Sequence, residues 1–83
     1  MPQPKKSTLP NIEFLIDGNG DITIGQVGPI RCVATAADED QQLAALVRRK
    51  GESLEDLLQR LDAAIGQALE DNVYIVYIDE TNG

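Results

Sequence analysis

The chain has 83 residues and a mass of 9.0 kDa, which suits one small domain and leaves little room for a second core or a large catalytic cleft. Leu, Ile, Val and Phe supply 23 of the 83 residues, more than the roughly one-fifth below which disorder sets in, so a folded core is expected. The formal charge is −7, and because Lys5 and Lys6 precede Pro10, residues 11–83 carry five bases against fourteen acids; such a surface repels phosphate and disfavours direct binding to nucleic acid or anionic membranes.

Residues 1–10 hold three of the four prolines together with Lys, Ser and Thr, a composition that reads as a flexible leader. From Asn11 the pattern alternates, with Ile12, Phe14 and Ile16 on one side. A second run from Ile22 to Val27 follows Gly18, Asn19 and Gly20, so the spacing predicts a β-hairpin over that turn. Gly28 and Pro29 then punctuate the chain before a third strand, with Ile30, Cys32 and Ala34 on one face. Asp38 and Gln41 look like a capping box, and Leu43, Leu46 and Val47 follow at helical steps up to Gly51, which predicts a helix over about 38–50. Ser53 and Asp56 open a second helix whose Leu54, Leu57, Leu58, Leu61, Ile65, Ala68 and Leu69 form one stripe. Leu61, midway along it, is expected to be its most buried member. Residues 73–78 are six apolar or aromatic positions in succession, as in a strand buried on both faces. The expected fold is therefore α+β, in the order β-β-β-α-α-β, a two-layer sandwich with both helices on one face of a largely antiparallel sheet. Residues 11–80 form its single domain and 81–83 a disordered end.

The chain contains no histidine and one cysteine. The commonest general base and transition-metal ligand are thus missing, and neither an intrachain disulfide nor a thiol-rich metal site can form. Cys32 reads as a small buried hydrophobe. Asp17, Asn19 and Asp21 match the first half of a calcium loop, but Ile22 and Gly28 stand where that loop needs Gly and Glu. The glycines at 18, 20, 25 and 28 lack the Gly-Lys-Ser/Thr ending of a phosphate loop and read as turns, with Gly25 a candidate bulge. No metal, cofactor or enzymatic activity is expected. No apolar run is long enough to span a membrane, and the first ten residues lack the apolar segment of a signal peptide, so a cytoplasmic location is expected.

Two acidic clusters, Asp38, Glu39 and Asp40 and then Glu52, Glu55 and Asp56, fall at the expected helix N-termini. They serve either as caps and solubilising charge, or as a recognition surface for a basic partner, whether a protein or the DNA-binding groove of an enzyme. The apolar run at the C-terminal end leaves one sheet face uncovered by two helices. Tyr74, Val76, Tyr77 and Ile78 are accordingly candidates for a homodimer interface. Gly66, inside the second helix, marks a close approach of a neighbouring backbone or of a second copy.

The segments CVATAAD at 32–38, LAALVRRKGESL at 43–54 and LQRLDAAI at 58–65, with the acidic C-terminal end, resemble small uncharacterised proteins of proteobacterial plasmids and integrated elements over about residues 31–80. The resemblance carries no catalytic residues and implies a bacterial, mobile-element accessory protein. The part around one helix is also similar to HicB-type antitoxins, whose helix follows three strands, whereas two helices are expected here before the last strand. The function expected from all this is a non-enzymatic, acidic protein–protein interaction or regulatory module. The alternative is a DNA-mimicking inhibitor of a defence or nucleic-acid-processing enzyme.

Overall fold

A computed structural model describes residues 8–76. Helix α1 (Pro10–Asp17) is followed by strands β1 (Asp21–Val27), β2 (Ile30–Ala37) and β3 (Gln42–Val47), helix α2 (Leu54–Asp71) and the two-residue strand β4 (Ile75–Val76). The sheet order is β1-β2-β3-β4, with the first three strands antiparallel and β4 parallel to β3. The class is thus α+β, and three strands, a helix and a last strand follow one another as expected. Two segments take the other conformation.

Residues 11–17 are helical, not extended. The alternation of Ile12, Phe14 and Ile16 leaves Leu15 on the wrong side; in the helix Ile12 and Leu15 face the core together, while Phe14 and Ile16 are exposed. Pro10 sits in the first turn, where its missing N–H costs nothing, but Leu9 at the N-cap offers no side-chain acceptor. Asp62 of α2 supplies one instead. Its Oδ1 accepts from the backbone N–H groups of Asn11 and Ile12 at 2.8 and 2.9 Å, and the Asn11 amide nitrogen donates to Asp62 Oδ2 and to its carbonyl. Only 7% of Asp62 is exposed.

Residues 42–47 are a strand, not part of a helix. Asp38 Oδ1 accepts from the N–H groups of Asp40 and Gln41, each at 2.8 Å, the kind of bond an N-cap makes, but here it closes a turn between β2 and β3. The apolar run after this turn fits either period, and Leu43, Ala44, Ala45 and Leu46 are all buried in a central strand. The hairpin falls accordingly between β1 and β2, across Gly28 and Pro29. There Val27 pairs with Ile30 and Gly28 takes φ +57°, a conformation that favours glycine. The bulge expected at Gly25 lies between Gly25 and Val27.

Ile22 pairs with Ala36, Ala36 with Ala44, and Ala34 with Leu46, so these residues share one sheet face. Ala34, Ala36, Ala44 and Leu46 form one core cluster with Ile12 and Leu15 of α1 and with Leu57, Leu61, Ala64, Ile65 and Ala68 of α2, and Ile22 packs against it half-buried. The α2 stripe thus packs as expected, with Leu61 fully buried, while Leu54 and Leu69 at its ends remain exposed. Leu9 also packs against this cluster. Residues 73–78 contribute only Ile75 and Val76 to a described strand, and β4 lies at an edge of the sheet, not in its centre. Tyr77 and Ile78 lie outside the described residues. No helix among the described residues is long and apolar enough to cross a membrane.

Gly66 faces α1. A Cβ there would stand 2.8 Å from the Asn11 amide nitrogen, which the two bonds to Asp62 hold in place. Gly66→Ala should gain about 1 kcal/mol of helix propensity but displace a donor whose two bonds, one to the Asp62 carboxylate and one to its backbone carbonyl, contribute about 1.5–3 kcal/mol. A net loss of about 1 kcal/mol is expected in urea melts. In an Asn11→Ala background the same change should become stabilising, and a gain in the otherwise unaltered chain would contradict this packing.

Candidate functional site

Charge is sorted along the sheet. At one end, Asp17 closes α1, Asp21 opens β1, Asp38, Glu39 and Asp40 make the β2–β3 turn, and Glu70 and Asp71 end α2. Helix macrodipoles favour cations at a C-terminus, yet the last turn of α2 contains no base. Capping therefore explains Glu55 and Asp56, which stand in the first turn behind the Ser53 cap, and at the opposite end Asp38 closes its own turn, but helix capping does not explain Glu70 and Asp71.

This acidic end holds a groove of about 280 Å³, lined by Phe14, Leu15, Gly18, Asn19, Gly20, Asp38, Glu39, Asp40 and Leu69. Phe14 is 65% and Leu69 42% exposed, so exposed apolar side chains and three acids share its lining. Gly20 lets the α1–β1 turn close over Leu15, since a Cβ there would come within 3 Å of Leu15 and of the Ala37 carbonyl. Tyr74 is half-exposed beside the turn, where its hydroxyl accepts from Gln41 Nε2 at 3.1 Å.

At the other end, the β3–α2 connection is organised by Glu52. Its carboxylate accepts from Arg60 Nε and a second Arg60 nitrogen at 2.7 and 2.8 Å and from the Arg49 N–H at 2.9 Å. Arg60 also donates to the Val47 carbonyl and Arg48 Nε to the Glu52 carbonyl. The Glu52 side chain is only 8% exposed. The paired Arg60 guanidinium holds its carboxyl down to about 2 from 4.5, against the opposing effect of burial.

The two acidic clusters found in the sequence are thus not brought together. Asp38, Glu39 and Asp40 rim the groove, Glu52 is engaged by Arg60, and Glu55 and Asp56 are exposed near Glu52. Of the residues proposed for a dimer interface, Tyr74 is exposed and Val76 pairs through its backbone with Ala45. Phe14 and Leu69 escaped the sequence reading because their neighbourhood depends on α1 being a helix. No protein-family model, curated protein or solved structure matches the chain.

Because the Glu52 carboxyl is more acidic folded than unfolded, its ion pair contributes fully above about pH 4.5, and that contribution is lost as pH falls towards 2. Denaturant melts at successively lower pH should show a loss across this window that is smaller in Glu52→Gln. Identical pH profiles for the two proteins would contradict the pairing.

Proposed function

We propose that the chain is a non-enzymatic protein–protein interaction module whose contact surface is the acidic end, with the groove over Phe14 and Leu69 as its anchor point. The observation that carries this reading is the exposure of Phe14 in a groove that Asp38, Glu39 and Asp40 also line. An apolar centre with a charged rim is the usual anatomy of a recognition surface: the centre supplies affinity and the rim supplies orientation and rate. The partner is a basic protein segment bearing one apolar side chain. In this reading α1 and α2 form one layer over one sheet face, so that the acidic turns project together beyond it. The DNA-mimic alternative needs carboxylates spaced along an extended face, and it has less support because Glu52, Glu55 and Asp56 lie at the far end. A homodimer through the 73–78 segment, a cytoplasmic setting and an accessory role in a bacterial mobile element, as the resemblance implies, belong to the same proposal.

A labelled Lys/Arg-rich peptide with a single central Leu is a suitable probe. Neutralising the rim as Asp38→Asn, Glu39→Gln and Asp40→Asn should weaken its binding about tenfold and flatten the salt dependence, at a few tenths to one kcal/mol per charge. Phe14→Ser should weaken it without altering the salt slope. Binding that ignores both changes would remove the groove from the account.

A further inference from the structure

All five basic residues among residues 8–76, Arg31, Arg48, Arg49, Lys50 and Arg60, stand at the end of the sheet opposite the acidic turns. Four of them line an open cleft of about 630 Å³ between the start of β2, the end of β3 and the β3–α2 connection, a size within the range of small-ligand sites. The one acid in its lining is Glu52, and the Arg60 guanidinium already matches that charge. Basic side chains therefore outnumber acids in the lining, with Glu55 and Asp56 close by in the first turn of α2, although the chain as a whole is strongly negative.

We infer that this cleft binds a small, multiply charged phosphate-bearing anion, with Arg31, Arg48 and Lys50 as its charge contacts. Arg31 and Lys50 are exposed and approach the cleft from β2 and from the β3–α2 connection respectively. The connection that carries Lys50 is cross-tied within the chain, because the Glu52 carboxylate accepts from the Arg49 N–H and from Arg60, and Arg60 also donates to the Val47 carbonyl. Arginine suits the planar, bidentate grip on a phosphate, while lysine adds a point charge. The net negative charge elsewhere favours a compact anion over a long polyanion such as a nucleic acid strand, whose remaining phosphates would meet an acidic surface.

The test is an amide-shift titration of the full isotope-labelled chain with inorganic pyrophosphate and, separately, with adenosine diphosphate. Sodium chloride at matched ionic strength is the control. Saturable shifts confined to residues 30–32 and 47–53 are expected. Arg31→Gln and Lys50→Gln should each weaken binding about tenfold, the effect of one charge-assisted contact, and leave thermal stability unchanged. Tighter binding of the nucleotide would identify a nucleoside phosphate as the source, whereas equal affinities would identify the inorganic group. Shifts that never saturate, that chloride reproduces, or that survive both substitutions would overturn the assignment.

Discussion

The buried carboxylate of Asp62 holds together two parts of the chain that have no local reason to associate. A helix of eight residues is far too short to persist alone, and α1 has no capping side chain of its own. Asp62 provides the missing acceptors from the middle of α2, and Gly66, one turn further on, gives the Asn11 side chain room to reach it. Each half of the arrangement needs the other. Without α1 the carboxylate would lose the donors it faces, and without the carboxylate the first amides of α1 would lack partners.

Docking of α1 also shapes the surface. Ile12 and Leu15 close the core over α2 and β1, Phe14 is left outward, and the turn through Gly18 and Gly20 becomes one wall of the acidic groove. The exposure of Phe14 in the groove thus depends on a contact at the other side of α1. At the far end of α2, Glu52 and Arg60 fix the connection that presents the basic cleft. One long helix thereby carries a carboxylate clamp in its middle and a differently charged surface at each end. The result is a strongly dipolar domain, whose orientation in the field of a charged partner is set before contact.

Local signals made some of this legible and non-local ones hid the rest. The α2 stripe runs over four turns behind a Ser53 cap, so period and cap agree, and β1 and β2 flank a Gly–Pro turn whose geometry is local. Asp38 misled because the bond it makes to residues two and three ahead is shared by a turn and a helix start. The small, wholly apolar run from Leu43 to Val47 then carries no period to separate the two. The conformation of α1 depends on Asp62, 51 positions from Asn11, and no window of sequence contains both. Asp38, Glu39 and Asp40 were readable as charge, but Phe14 and Leu69 become their neighbours only once α1 is docked. The basic run at 48–50 was visible too, yet its convergence with Arg31 needs the antiparallel pairing of β2 and β3.

The role of Asp62 is open to direct measurement by native-state amide hydrogen exchange on the unaltered chain and on Asp62→Ala. Loss of the clamp should strip protection from residues 11–17, lowering their opening free energy by about 2–4 kcal/mol, while β2, β3 and α2 keep most of theirs. Undiminished protection of the Ile12 amide and its α1 neighbours in Asp62→Ala would show that α1 is held by something else, and the account built on the clamp would fail.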